Sequence, residues 1–575
     1  MVVLRRPPFA MGDFGGTKLS LLMEKQHNRG QDGAGAAILS DDPEPGTQPY
    51  WISKSASATA LADVLGAIGR RGLQSPNPPI SQSRIFLGHL RYATFGKNEV
   101  AFCHPFVHEA SELEHTFLLA GNFNLTNAHE LFEDYRRKGE FPTSRADGYL
   151  ICELIAHELG GGIAAALSAA LANADGAWTL CGATGDGWAF ATRDPHGIRP
   201  GFYYVSDDVV AVASERPAIQ AAFDVPPEAV KELPPGQALI VSPTGEVQMA
   251  ELSSAIKAKP CSFERIYFSR ANDADIHRER KALGAALVPQ ILKAADAPME
   301  DIFFSYIPNS ARIAFHGLLE RMFNEHGNVR FGEVAVKDAK FRTFIADAAA
   351  RREFYKHVYD VTYGLVRPGQ DTLVVLDDSI VRGNTMKNAI LPMLDRLGPK
   401  RIVIASSAPP IRYPDCYGID MSTLGELVAF RALVNLLDNG ERGVGNGERE
   451  NANTELLEAL KQSEHLHVST RSTRLNFFNP LADLYARFTD EQHCDEIARL
   501  LTPPDMKAEV KVVYQTVENL HSCLTPTTNY QLPTTNYQPA IGDWYFTGDY
   551  PTPGGYKVLQ KALANYLEHK NERSY

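Results

Sequence analysis

Cysteine is scarce and scattered in this chain. Seven occur in 575 residues, at Cys103, Cys152, Cys181, Cys261, Cys416, Cys494 and Cys523, and no Cys-x-x-Cys is found. An odd, dispersed set fits reduced thiols in a cytoplasm better than a disulfide framework. Long apolar runs are missing as well: no stretch reaches the ~18 consecutive apolar residues that a membrane span needs. The opening MVVLRRPPFA has two arginines but no apolar core of about 7–15 residues, so it does not read as a secretory signal. There is no basic surplus either. Lys and Arg number 57 against 69 Asp and Glu, for a net charge of -12 and a pI near 5.8. That balance argues against general nucleic-acid binding. It leaves room for anionic substrates held by a few local cations or backbone N–H groups.

What is present is an ordinary globular composition, 44% apolar and 22% charged, long enough for three or four domains of roughly 150 residues each. From 1 to about 250, short β-rich runs such as RIFLGHLRYATF, HTFLLAGNF and VVAVASE alternate with helical stretches such as DGYLICELIAHELGG. This predicts a layered α+β domain closed by a hairpin over PPGQALIVSPTGEV. From 256 to 435 strands and helices alternate. The clearest unit, TLVVLDDSIVRGNTMKNAILPMLDRLGPKRIVIASSAPP, reads as strand, loop, helix ending at Leu397-Gly398-Pro399, and a second strand. Such βαβ units build parallel sheets. Beyond 435 regularity fades. Asn-Gly-Glu-Arg recurs at 439–442 and 446–449, and PTTNYQLPTTNYQP at 526–539 is a seven-residue duplication. Both read as loops, too short for a solenoid.

In LVVLDDSIVRGNTM the strand runs into Asp377-Asp378, and a loop then opens a helix near Thr385. Ligands of open α/β sheets sit at this place, outside the carboxyl ends of strands. Free N–H groups, a glycine allowing close approach, the Ser379 and Thr385 hydroxyls and the positive end of the helix form a phosphate cradle. Two adjacent carboxylates suit ribose hydroxyls, or a Mg²⁺ carried by a pyrophosphate. A bare Asp-Asp would be only a turn with a helix cap. An apolar strand, Asp-Asp-Ser and then Arg-Gly-Asn-Thr opening a helix favours the ligand site.

These residues carry a resemblance. LVVLDDSIVRGNT is similar to the phosphoribosylpyrophosphate (PRPP) motif of type I phosphoribosyltransferases. SSAPPIRYPDCYGIDM, PCSFERIYFSRAN and TGDYPTPGG resemble segments of the amidophosphoribosyltransferases, which make phosphoribosylamine for purine synthesis. The likeness runs from about Leu21 to Phe430. It implies an α+β N-terminal-nucleophile hydrolase domain (layered α/β/β/α, residues 1–255) and an α/β type I phosphoribosyltransferase domain with a parallel sheet (256–435). A C-terminal extension with flexible insertions and helices (436–575) would follow.

The resemblance also implies roles. Asp377, Asp378 and Ser310 (in YIPNS) would bind Mg²⁺ with PRPP. Ser379, Ile380, Val381, Arg382, Gly383, Asn384 and Thr385 would hold the 5′-phosphate. Lys337 and Arg342, in AVKDAKFRTFI, are candidate contacts from a loop that closes over PRPP and excludes water. A solvated charged face is the competing reading of that pair. EKQHNRGQDGAG matches a family stretch with one Asn inserted, and HLRYATFG another. Arg91 would grip the glutamine α-carboxylate through its planar fork, with Thr94 assisting. Asp147 would hold the α-ammonium. Asn122 and the backbone N–H of Phe123 would form the oxyanion hole. The family commonly has Gly where Phe123 stands, and Phe does not easily take φ > 0. RDPHGIRP and ASERPAI read as structural turns. No iron–sulfur cluster is expected: Cys261 matches one ligand place of the cluster-bearing members and Cys416 lies one residue off another, but Gly542 and Tyr545 stand at two more, and four thiolates are needed.

Family glutaminase chemistry uses an N-terminal Cys as nucleophile, whereas residues 1–3 are Met, Val and Val. Two readings stay open. Either a Cys-Gly start lies a few residues upstream, or the glutaminase half is inactive and free ammonia is the donor. The retained Arg91, Asn122 and Asp147 favour the first. The expected partners are PRPP and glutamine or ammonia in a cytoplasmic homo-oligomer, without nucleic acid or membrane, and ammonia would pass internally between the sites. Alternatives are a PRPP-binding regulator without turnover and a base-salvage phosphoribosyltransferase. The glutaminase-like half counts against the latter.

Overall fold

The computed structural model describes residues 1–6, 13–40, 47–73, 83–92, 99–253, 258–337, 359–440, 450–468, 478–524, 541–570, 572 and 574. Thr94, Arg342, residues 441–449 and the duplication at 526–539 lie outside them. The chain divides into two compact units, one of Met1–Cys261 with Cys416–Asp420, the other of Ser262–Asp415 with Met421–Ser574. Among the described residues no helix is long and apolar enough to cross a membrane.

Two antiparallel sheets form the first unit. The seven-stranded sheet places Val2–Leu4 between Val209–Ala213 and Ile85–Arg91, and continues through Gly33–Leu39 to Tyr50–Ser55. The six-stranded sheet runs from Val247–Glu251 through Gln237–Val241, Ala189–Arg193, Gly176–Thr184 and Phe117–Leu125 to Phe106–His108. Side-chain alternation sorts the layers. In the Ile85–Arg91 strand, Ile85 and Leu87 join the core between the sheets, with Leu118, Ala191 and Leu239 facing them. Phe86 and Leu90 turn outward under helices Phe14–Lys25 and Ala60–Leu73. On the far face, Phe117, Leu119 and Leu180 pack under helices Asp147–Ala156 and Ile163–Leu171. The result is the expected α/β/β/α stack. RDPHGIRP is a buried turn, in which Asp194 Oδ1 accepts from the N–H of His196 and of Ile198, each at 3.0 Å.

A five-stranded parallel sheet organises the second unit, in the order Arg330–Phe331, Ile302–Tyr306, Thr372–Asp377, Arg401–Ser406, Glu509–Tyr514. Apolar layers cover both faces, as buried parallel strands require. Helices Ala274–Ala286 and Arg312–His326 cross at two glycines. A Cβ on Gly284 would overlap the Ala314 carbonyl, and one on Gly317 the Lys281 carbonyl. Backbone cannot yield as a side-chain tip does, so Gly317→Ala should cost about 2 kcal/mol of stability, read by urea denaturation. An unchanged midpoint would contradict this packing.

Candidate active sites

The second unit's site stands at the carboxyl end of its parallel sheet. Asp377 is the last residue of its strand, in register with Ser406 and, one strand further, Tyr514. Asp378 is buried, and its Oδ1 accepts from Ser379 Oγ at 3.0 Å. The Ser310 hydroxyl also bonds the Asp378 carboxylate, and the charge of Arg280, whose guanidinium is held by the Arg265, Tyr267 and Ser269 carbonyls, acts on it. Burial raises the Asp378 carboxyl pKa, with these hydroxyls and Arg280 opposing. Burial, then repulsion from Asp378, pushes Asp377 well above the carboxylate range. The SSAPP segment clamps the pair from behind: Ser407 and Ala408 N–H groups donate to the Asp377 and Asp378 carbonyls, each at 2.9 Å. Two carboxylates and a hydroxyl make a set of hard oxygen donors, and a dication would relieve the repulsion between them. The residues therefore fit Mg²⁺.

The following loop is shaped by its neighbours. Ile380 is buried in the core, so only its backbone faces outward. The Val381 carbonyl accepts from Val428 N–H at 2.9 Å, and the Arg382 carbonyl from Arg431 Nη2 at 2.6 Å. Arg382 Nε reaches Glu426 Oε2 at 2.6 Å, so this guanidinium belongs to an ion pair. Gly383 has φ +74°, and its carbonyl accepts the first helical bond from Lys387 N–H at 2.9 Å. Asn384 and Thr385 are exposed and open the helix, whose middle turn, Met386–Ile390, is π-type. Lys337 ends a short strand paired with Tyr359–Val361.

In the first unit, alternation puts Arg91 on the face between the sheets, and Asn122 on the opposing strand likewise. Arg91 is buried, with its guanidinium 5.8 Å from the Phe102 ring centroid. Asp147 opens helix Asp147–Ala156. Burial raises its pKa to about 6, while the Gly148 N–H, its own N–H and the nearby charge of Arg91 act to lower it. A cation and an anion thus stand close enough to interact, as a clamp for an α-amino acid requires. The QHNRGQDG stretch runs beside Arg91. Asp32 N–H donates to the Arg91 carbonyl at 3.0 Å. Arg29 and the inserted Asn28 both bond Glu215 of ASERPAI, at 2.6 and 3.0 Å.

Phe123 lies in regular strand opposite Trp178, and its φ is not positive. The strain expected from replacing Gly therefore does not arise. Gly121 N–H turns away from the Gly176–Thr184 strand to donate to His104 Nδ1 at 3.3 Å. Two residues on, the Phe123 N–H points to the same side, past the end of the short Phe106–His108 strand. Sequence reasoning missed Arg280 and His104, which stand in no quoted motif, and His89, which opens the quoted HLRYATFG without an assigned role. Ser407 and Ala408 lay within a quoted motif without an assigned role.

Comparisons with known proteins find related chains and a similar fold. A glutamine amidotransferase domain model matches residues 104–221. The amidophosphoribosyltransferase of Bacillus subtilis is 31% identical over 351 residues, which cover 60% of this chain and 69% of that one. The chain belongs to the amidophosphoribosyltransferase family. The family enzyme of Pseudomonas aeruginosa is 29% identical over 427 residues, 70% of this chain and 78% of its own. The fold matches that of the B. subtilis glutamine PRPP amidotransferase complexed with ADP and GMP. Its TM-score is 0.65 at 22% identity, covering 94% of this chain and 95% of the other. Members of the family are glutamine amidotransferases and phosphoribosyltransferases.

Proposed function

We propose the family reaction, in which PRPP, glutamine and water give 5-phosphoribosylamine, glutamate and pyrophosphate. The chain as written carries out the ammonia-dependent half, because Met1, Val2 and Val3 offer no nucleophile for hydrolysis of the glutamine amide. The observation that carries this is the pair of half-buried Asp377 and buried Asp378, with Ser310, at the carboxyl end of a parallel sheet, ahead of a Gly383 loop that opens a helix. Backbone N–H groups from Ser379 to Thr385, with the Ser379 and Thr385 hydroxyls, hold the 5′-phosphate. The Ile380, Val381 and Arg382 side chains take no part in that contact. Asp377, Asp378 and Ser310 would hold Mg²⁺, which when bound neutralises charge on the pyrophosphate group. Ammonia attacks ribose C1 as the C1–O bond to pyrophosphate breaks. Lys337 and Arg342 belong to the segment that keeps water from competing. In the amide half, the Arg91 fork grips the glutamine α-carboxylate, Thr94 assists, and Asp147 takes the ammonium. Asn122 and the Phe123 N–H face the developing oxyanion. We read 1–255 as the glutaminase-like domain, 256–435 as the phosphoribosyltransferase domain and 436–575 as an extension lending the latter a strand, in a cytoplasmic homo-oligomer.

The test uses the chain with PRPP, Mg²⁺ and ammonium chloride. Pyrophosphate release is expected. Binding of PRPP without release would overturn the transferase reading in favour of a PRPP-binding regulator.

Glutamine binding should carry a pH signature. Asp147 must be ionised to hold an ammonium, and with its pKa raised to about 6 it takes up a proton as pH falls through that value. Calorimetric titration with glutamine should show affinity falling about tenfold between roughly pH 7.5 and pH 5. A flat profile would remove Asp147 from the clamp.

A further inference from the structure

Antiparallel pairing between Phe106–His108 and Phe117–Leu125 runs through Phe106↔Leu119 and then stops. Continued by two residues, the register would set residue 104 opposite Gly121. There the backbone acceptor is replaced by a side chain, as Gly121 N–H donates to His104 Nδ1 at 3.3 Å. The next two residues are Asn122 and Phe123. His104 is buried, and its ring stacks on that of His89, with centroids 4.0 Å apart and planes 18° apart. The edges of Phe106 and Phe123 close around it, with centroids at 4.7 and 5.5 Å. His89 sits two residues before Arg91 on the same strand and on the same face between the sheets.

We infer that His104, stacked on His89, is a positioning residue that registers the strand bearing Asn122 and Phe123 to the strand bearing Arg91. The glutamine carboxylate clamp and the oxyanion donors come from different sheets, and a small slide of one against the other would separate them. The imidazole pair spans that gap. His89 stacks from the Arg91 strand, and His104 binds the backbone one residue before Asn122. The arrangement needs a neutral His104, since Nδ1 accepts and only Nε2 can then carry a proton. Burial, then the charges of His89, Lys54 and Arg91, keeps His104 neutral, and burial lowers His89 to about 4. The inference rests on the proposed glutamine reading of this pocket.

Two variants separate the functions of the ring. His104→Asn keeps an acceptor near the place of Nδ1 and loses the stack. His104→Phe keeps a stacked ring and loses the acceptor. The full chain is titrated with glutamine, hydrogen exchange is followed across Phe117–Leu125, and PRPP binding serves as the folding control. Each variant breaks one end of the bridge, so both should weaken glutamine binding about tenfold, while only His104→Phe leaves the Gly121 N–H without its acceptor and should speed exchange in that strand. PRPP affinity should not move in either. The inference is overturned if either variant keeps the parental glutamine affinity, or if His104→Phe leaves exchange in that strand unchanged. If the parent chain binds no glutamine yet His104→Phe still speeds exchange, the glutamine reading falls and the positioning link stands.

Discussion

Asp378→Asn should abolish pyrophosphate release from PRPP and leave the protein at least as stable. The exchange keeps shape and removes one negative charge from a pair in which burial raises both carboxyl pKa values and the charge of Asp378 raises that of Asp377 further. The Asn oxygen can still accept from Ser379 or Ser310, so no buried donor need be orphaned. A carboxyl whose pKa is raised by folding weakens the native state at neutral pH, and that cost fades as pH falls through the raised value. Removing it should hold or raise the thermal midpoint. Catalysis loses a charge aimed at the pyrophosphate group and its Mg²⁺, for which about a thousandfold in kcat/KM, roughly 4 kcal/mol, is the expected scale. Steady-state release assays beside a thermal melt decide the matter. A lower midpoint alongside lost activity would point to misfolding, and near-parental activity would remove Asp378 from the site.

The Asp pair could be placed from sequence because its signal is local. An apolar run ends at Asp377, Asp-Asp-Ser follows, and the helix opens at Asn384, one residue from the expected Thr385. Arg91, Asn122 and Asp147 likewise stand in short motifs; strand alternation turns Arg91 and Asn122 toward the space between the sheets, and Asp147 opens a helix within reach of the Arg91 charge. What stayed hidden depends on distant partners. Glu509–Tyr514 is an apolar strand in an irregular stretch, and nothing near it tells that it completes the parallel sheet beside Arg401–Ser406. Arg382 has the charge for a phosphate, yet Glu426 draws it aside. The family's Gly preference made Phe123 look strained, whereas its φ is that of plain strand. His104 offered no signal, since its role depends on where a neighbouring strand stops pairing.

Gly383→Ala should weaken PRPP binding about a hundredfold while costing little more than 2 kcal/mol of stability. Two separate obstacles meet at this residue. Its φ of +74° lies in the left-handed region, where a Cβ costs about 1–2 kcal/mol. A Cβ would also press into Leu501 Cδ2. Leu501 ends the helix Asp490–Leu501 and is buried in the core under the loop, so it has little room to withdraw. The strain is more easily relieved outward, carrying the Ser379–Thr385 N–H groups off the phosphate position. A displacement near 1 Å at a positioning contact is enough for about a hundredfold. The double variant Gly383→Ala/Leu501→Val restores space without restoring the backbone conformation. PRPP affinity should therefore recover in part, and the recovered fraction measures the steric share against the conformational one. Parental PRPP affinity in Gly383→Ala would mean that the phosphate is held elsewhere. No recovery in the double variant would assign the whole effect to φ.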